Sequence, residues 1–395
     1  MTSKVVECAL LCAGATPFIY YLLAVYSSWK FFSDAPESSA PANPLLPPVS
    51  NLKPVRGLDP DAYENFASFC RQDYPEYEIV FCAGDRTDPV VPVIERLIRD
   101  FPERSIRVLF GTGRVATNDK VAKLARLVDA AKFETLVISD SDVRVEPNYL
   151  RTLVAPLADP QVGAATCFYV PTEEVSSTQR LQSAGMLSDF YAGILVARQV
   201  DGVKFALGPT IATTRGHLQS FGGYESIENR PGDDLLVGRL IAEQGYEVKL
   251  LPYSISTVAD FQSFSELVHK RLRWITVMRH MRPWGHLGLI FTFGLPWSLI
   301  ACASHPTRAV ALAYLGTYMV LRMAMMSIIG SWGLKQRGVW RNLLLIPVWD
   351  ALAFLIWLIS FTRRTIRWRD RDYFIRNGEL VPADAEAAER VVRRA

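Results

Sequence analysis

The sequence predicts an α/β protein: a mainly parallel sheet flanked by helices and attached to α-helical transmembrane segments. Three observations carry this. Between Pro48 and Val258, short β-rich runs alternate with stretches of helical apolar spacing, the pattern of a parallel sheet with helices on its faces. One run, "ETLVISD", is apolar through its centre, as a strand buried on both sides is. Outside this region lie apolar runs of bilayer length, one at the N-terminus and three near the C-terminus.

Val5–Val25 is apolar except for Glu7, and about 20 such residues suffice to cross a bilayer. A secretory signal would carry a basic start and a small-residue cleavage site. Neither is present, so an uncleaved anchor over 1–28 is expected. The segment 29–47 contains most of "SDAPESSAPANPLLPP", too polar and too rich in proline for a helix, and is expected to be a linker.

The soluble domain is expected over 48–262. "PPVSNLKPV" is its first strand and "YEIVFCAG", between Pro75 and Gly84, its second. "PVVPVIERLIRDF" has helical spacing, "SIRVLFG" is a third strand, and "KVAKLARLVDAA" is an amphipathic helix with Val121, Leu124, Leu127 and Val128 on one face. "ETLVISD" is the fourth strand. Ligands of such sheets bind beyond the carboxyl ends of the strands, where Asp88 and Asp140-Ser141-Asp142 fall. Residues i and i+2 of a strand point the same way, so Asp140 and Asp142 can turn to one hard cation, Mg²⁺ or Mn²⁺, that bridges to substrate phosphates. The alternative is a solvated turn, which Asp and Ser also favour.

Beyond this domain, "HKRLRWITVMRHMRPWGH" is basic and amphipathic, and predicts a helix over 263–285 lying in the membrane interface. Three apolar runs follow within 286–361: His286–Ser304, Ala309–Gly330 and Leu343–Phe361. The positive-inside rule places Lys335–Arg341 and the basic tail (362–395) on one side, so one full span cannot separate them. One of the three runs is therefore expected to be re-entrant or interfacial. Arg322, inside the middle run, either faces protein or snorkels to headgroups. The net charge of +3 gives no sign of a nucleic-acid partner. The six cysteines are scattered without a C-x-x-C pair, which argues against a zinc ribbon or disulfide framework and for a reducing compartment.

"PPVSNLKPVRGLDP", "DYPEYEIVFCAGDRTDP", "VISDSDVRVEPNYL", "GDDLLVGRLIAEQGYEV" and "KRLRW" occur in this order. Together they resemble the ceramide glucosyltransferase family, glycosyltransferase family 21, which includes bacterial hopanoid glycosyltransferases. The resemblance implies a GT-A fold and inverting transfer from a UDP-sugar to a membrane lipid hydroxyl, with a divalent metal, Mg²⁺ or Mn²⁺, as cofactor. Its three aspartates map to Asp88 near the nucleotide (with Asp85 close enough to be confused with it), Asp140 at the donor, and Asp234 as the base. Asp142 joins Asp140 at the metal, and Asp233 stands beside Asp234 near the acceptor. The R-W pair maps to Arg273 and Trp274, implying phosphate and acceptor contacts. Lys270 stands where the family has Gln or Arg, and supplies a point charge without a bidentate fork. Lys53 and Lys120, the latter in an N-x-K pattern, are further nucleotide-binding candidates.

The chemistry agrees with these residue types. A departing nucleoside diphosphate gains negative charge that a metal and an arginine stabilise. A carboxylate with a raised pKa, such as Asp234 beside Asp233, suits removal of the acceptor's proton. The expected donor and acceptor are UDP-glucose and ceramide, or UDP-N-acetylglucosamine and a hopanoid polyol. A membrane-anchored sugar- or lipid-binding protein with a dead site is the alternative from another class. The expected setting is a multi-pass position in a bacterial inner membrane, with the catalytic domain in the cytoplasm.

Overall fold

A computed structural model describes residues 2–34, 46–114, 116–172, 174–258, 263–368 and 371–384. In chain order the first elements are α1 (Thr2–Ser33), β1 (Val49–Pro54), α2 (Ala62–Cys70), β2 (Tyr77–Ala83), α3 (Val91–Asp100), β3 (Ser105–Phe110), α4 (Asp119–Ala130), β4 (Thr135–Ser139) and β5 (Val143–Arg144). Then come α5 (Tyr149–Val154), β6 (Val162–Pro171), α6 (Ser177–Gly185), α7 (Tyr191–Asp201), β7 (Thr210–Thr214), α8 (Arg215–Gln219), α9 (Asp233–Glu243), β8 (Glu247–Thr257) and α10 (Phe264–Met281). α1 continues past residue 28, so the first residues of the expected linker are helical.

The eight-stranded sheet has the order β3-β2-β1-β4-β7-β6-β8-β5. β3, β2, β1 and β4 are mutually parallel, as the alternating pattern predicts. β1, β2 and β4 are buried along their whole length, and β1 buries the polar Ser50, Asn51 and Lys53 together with Val49 and Leu52. β7 then runs antiparallel between β4 and β6, so the second half of the sheet is mixed. "TIATT" carries no periodicity that announces this reversal.

Local chemistry fixes the helices that hold the site. Asn118 caps α4 by accepting from the Val121 amide at 3.3 Å, so the capping role falls to Asn118 and leaves Lys120 as the second residue of the helix. Capping boxes start α6 (Ser176 with Gln179) and α10 (Ser263 with Glu266). α9 packs so closely on the Phe205–Ala206 backbone that a Cβ at Gly238 would stand 2.2 Å from the Phe205 carbonyl carbon. This contact sets the height of Asp233 and Asp234 at the helix start.

Among the described residues three helices, or four spans counting a bent pair as one, are long and apolar enough to cross a membrane: Lys4–Ser33 within α1, the pair Pro283–Thr292 and Gly294–Ser304 bent by 51°, Arg308–Gly333 and Val339–Ser360. The bent pair lies against α1 in the opposite direction. The Tyr21 hydroxyl donates to the Thr292 carbonyl at 2.7 Å, Gly14 faces Ala301, and His305 meets Glu7 near the start of α1. Arg308–Gly333 returns beside α1, ending where Gly333 faces Phe32.

Val339–Ser360 takes a different course. Val339 packs near Leu187 and Gly330, Trp349 lies on Gly185 of α6, and Ser360 meets Arg279 and His286. This helix therefore follows α10 along the catalytic domain. Both its ends stay on the domain's side of the helical bundle. Arg322 turns into protein, where it pairs with Asp350. Within the expected basic tail, β9 (Thr365–Trp368), β10 (Arg371–Arg376) and β11 (Glu379–Pro382) form an antiparallel sheet. Through the Leu380 amide, 2.7 Å from the Asn229 carbonyl, this sheet touches the loop before α9.

Candidate active site

Four side chains meet at the carboxyl ends of the central strands. β4 delivers Asp140, α4 delivers Lys120, and the first turn of α9 delivers Asp233 and Asp234. The Lys120 ammonium is 2.8 Å from the Asp140 carboxylate and 3.3 Å from that of Asp233. Asp234 accepts from the Leu235 amide at 2.8 Å, and its other oxygen is so close to Gly208 that a Cβ there would be 2.9 Å away. Burial, then the neighbouring Asp233 charge, raises the Asp234 pKa to about 6, against the lowering effect of Lys120. A carboxylate at this value is ionised at neutral pH yet basic enough to take a proton.

Lys53 is not where the sequence reading placed it. Its side chain is fully buried below the sheet end. The ammonium donates to the Asp140 carbonyl at 3.0 Å and the Ser139 hydroxyl at 3.1 Å, and lies 3.4 Å from the centre of the Phe69 ring. Burial lowers its pKa to about 7. Lys53 thus shapes the turn carrying Asp140 instead of facing a ligand; its position within a strand buried on both faces dictates this.

Asp88 accepts from the Gly57 amide at 2.9 Å and the Val90 amide at 3.1 Å, tying the loop after β1 to the start of α3. Asp85, its neighbour in sequence, instead accepts from the Thr87 amide at 2.7 Å. Asp88 thus joins two loops at the strand ends, and Asp85 closes an exposed turn. Asp142 follows the turn, and its carbonyl receives the Val258 amide at 2.9 Å. Lys270 and Arg273 share a groove of about 650 Å³ with His269, Arg363, Arg367 and Asp372, between α10 and the C-terminal sheet. Trp274, one turn from Lys270, has the Lys270 ammonium 5.7 Å from its ring centre and lies 6.1 Å from the Phe190 ring.

Sequence reasoning missed two residues here. Asp59 pairs with the Ser141 hydroxyl, adding a carboxylate beside the Asp140–Asp142 turn. Its position just after β1 was the available signal, since loops at strand carboxyl ends hold ligands. Tyr169, at the end of β6, packs against Phe190 at 6.4 Å between ring centres. It lies within electrostatic reach of Asp140, Asp142 and Asp234 on one side and of Arg271 on the other.

Oxygen-only donors on a partly exposed turn fit a hard divalent cation. Among the described residues no three His, Cys, Asp or Glu side chains converge on one point. The protein therefore offers Asp140 and Asp142, and a bound nucleotide's phosphates would supply further oxygens.

The sequence model of glycosyl transferase family 21 matches residues 9–381. The chain belongs to this family. Among curated relatives, ceramide glucosyltransferase 3 of Caenorhabditis elegans is 23% identical over 67% of this chain and 57% of its own length. A ceramide glucosyltransferase of Gibberella zeae is 33% identical over 33% of this chain and 27% of its own length. This family 21 chain thus spans little more than half of the first relative. A mannosyltransferase from Pyrobaculum calidifontis, solved with GDP-Man and Mn²⁺, superposes with a TM-score of 0.59. The superposition covers 89% of this chain and 98% of that one at 20% identity, which establishes the GT-A fold.

Proposed function

We propose that this family 21 glycosyltransferase moves a sugar from a UDP-sugar to the hydroxyl of a membrane lipid, inverting the anomeric carbon, with UDP-glucose and ceramide as the leading pair. The observation that carries the reading is Asp234: a carboxylate of raised pKa at a helix start, beside Asp140 and Lys120. In the reaction the lipid oxygen attacks the anomeric carbon and passes its proton to Asp234. The bond from that carbon to the phosphate oxygen breaks, and its electron pair leaves with UDP. Asp140 and Asp142 would hold a divalent cation, whose charge offsets that of the leaving diphosphate. Lys120 keeps Asp140 and Asp233 from repelling one another while the nucleotide site is empty. Lys270 and Arg273 contribute positive charge toward phosphate, and Trp274 an apolar wall toward the acceptor. The names of the curated relatives support the lipid reading.

The helices support a multi-pass protein whose catalytic domain faces the cytoplasm. In this reading α1, the bent pair and Arg308–Gly333 cross the bilayer, and Val339–Ser360 lies beneath the domain. That arrangement keeps Lys335–Arg341 and the segment from Arg363 on one side, as the positive-inside rule requires. Single cysteines at Arg337 and Arg364, introduced into a cysteine-free background, should both react with an impermeant maleimide only after membranes are opened from the cytoplasmic side. Labelling of the two from opposite sides would make Val339–Ser360 a full span.

The test of the reaction is a donor-and-acceptor matrix on purified protein. UDP-glucose, UDP-galactose and UDP-N-acetylglucosamine are paired with ceramide, diacylglycerol and a hopanoid polyol, with Mg²⁺, with Mn²⁺ and with chelator. A glycolipid that forms with metal and is lost with chelator is expected. Absence of both product and UDP release in every pairing would favour a binding protein. Asp140→Ala should lower metal-dependent UDP affinity by at least about tenfold in calorimetry, since it removes a ligand outright. Unchanged affinity would return the Asp140–Asp142 pair to a solvated turn.

A further inference from the structure

Between the catalytic carboxylates and the helix Val339–Ser360 lies a second charged group that the reaction above does not use. Arg271 projects from α10 and is sandwiched between aromatic rings: its guanidinium carbon is 5.2 Å from the Trp274 ring centre and 4.6 Å from that of Trp349. Its Nη2 is buried and has no hydrogen-bond partner among the described residues. Such a group ordinarily costs free energy, because its hydration is lost without replacement. Asp189 lies near it, within a π-helical turn, Met186–Phe190, that interrupts the run from α6 to α7. Turns of this kind inside helices concentrate at functional sites.

Among the described residues the Asp189 carboxylate accepts no side-chain hydrogen bond, and it lies within electrostatic reach of Arg271 and Arg322. The nearby Arg322 is engaged elsewhere: it pairs with Asp350 and donates to the Ser188 carbonyl and hydroxyl. The rings of Tyr169, Phe190 and Trp274 border the same region, with 6.4 Å between the first two and 6.1 Å between the last two. Tyr169 borders Arg271 and is itself within electrostatic reach of Asp234, so aromatic rings, one donor fork and one carboxylate lie together between Asp234 and the helix Val339–Ser360.

We propose that Arg271 and Asp189 recognise the polar head of the lipid acceptor, and that this head is neutral and carries both hydroxyl donors and acceptor oxygens. The inference rests on the lipid-transfer reading above. The chemistry follows from the pair. Arg271 donates to an oxygen of the head, Asp189 accepts from a hydroxyl or amide hydrogen, and the aromatic rings hold the first carbons of the chains. An anionic phosphate head would satisfy Arg271 but be repelled by Asp189. Recognition here positions the acceptor hydroxyl at Asp234 without touching the donor sugar.

The experiment measures acceptor and donor saturation separately on purified full-length protein, using C6-ceramide in mixed micelles and UDP-glucose. Arg271→Gln and Asp189→Ala are each expected to raise the acceptor KM at least about tenfold, the usual scale for losing a charged hydrogen bond. The donor KM and acceptor-independent UDP release should stay within about twofold of the parent. Arg271→Lys should recover part of the loss, and the double variant should lose less than the product of the two single losses, because both side chains hold one head. Short-chain phosphatidic acid should inhibit Asp189→Asn more strongly than the parent.

An unchanged acceptor KM in both single variants overturns the proposal, as does a rise confined to the donor KM, which would assign Arg271 to the diphosphate. If Arg271→Gln does not fold, because it supports Trp349, Asp189→Ala decides alone. A parent enzyme that releases UDP but glycosylates none of the lipids in the matrix would instead overturn the lipid-transfer reading beneath this one.

Discussion

Asp234→Asn should reduce kcat by about 10²–10⁴-fold, the range that general base catalysis contributes, while the donor KM changes little. The substitution keeps the size of the side chain and its acceptance from the Leu235 amide, but it removes the site that takes the acceptor's proton. The pH dependence gives an independent check. With a pKa of about 6, Asp234 is a carboxylate above that pH and a carboxylic acid below it. The rate should therefore be flat near neutrality and fall about tenfold per pH unit below pH 6. In Asp234→Asn the residual rate should lose this acidic limb. Because Asp233 contributes to raising the value, Asp233→Asn should move the limb to lower pH. If Asp234→Asn turns lipid over at the parental rate, or keeps the limb, the base is another group.

The second large effect is on stability and concerns Arg322 and Asp350. The two side chains are 4% and 5% exposed, and they pair with Arg322 Nε 3.0 Å from the carboxylate. The Tyr318 hydroxyl donates to the same carboxylate at 2.8 Å. Replacing either charged residue leaves the other buried and unpaired, a loss of about 3–5 kcal/mol in comparable settings. Arg322→Met and Asp350→Leu should each lower the melting temperature in detergent markedly. The double variant should recover much of the loss, since a buried pair replaced by apolar groups of similar volume is often close to neutral. Arg322 also holds the Ser188 carbonyl, so the single variants should loosen the turn that carries Asp189 and weaken acceptor use at temperatures where the protein is still folded. Single variants as stable as the parent would show that the pair is solvated.

Much of the catalytic half was legible before any coordinates. β1, β2, β3 and β4 fall where the short β-rich runs place them, because turn-forming residues bound those runs. Asp140 and Asp234 fall where strand ends and helix starts put functional side chains in this type of sheet. Asp88 also lies at a strand end, but its backbone partners came only from the folded loop. Lys120 was expected at the nucleotide and in fact bridges two carboxylates. That juxtaposition joins α4, β4 and α9, which are remote in sequence.

Other features depended on the tertiary structure for a common reason. Lys53 was expected at the nucleotide from its place at the end of the first strand and from the family resemblance, and only the fold shows that it is sealed inside, over Phe69 of α2. The reversal at β7, the C-terminal sheet and the course of Val339–Ser360 are pairings between distant segments, and local periodicity carries no information about partners. The same holds for Arg271, one basic residue among several in "HKRLRW". By itself the sequence determined the parallel half of the sheet, the apolar helices and the placing of Asp140 and Asp234 at a strand end and a helix start, since each follows from residue spacing along the chain. Only the tertiary structure decided which charges meet and which stay apart, since that depends on how separate elements pack and what water they exclude.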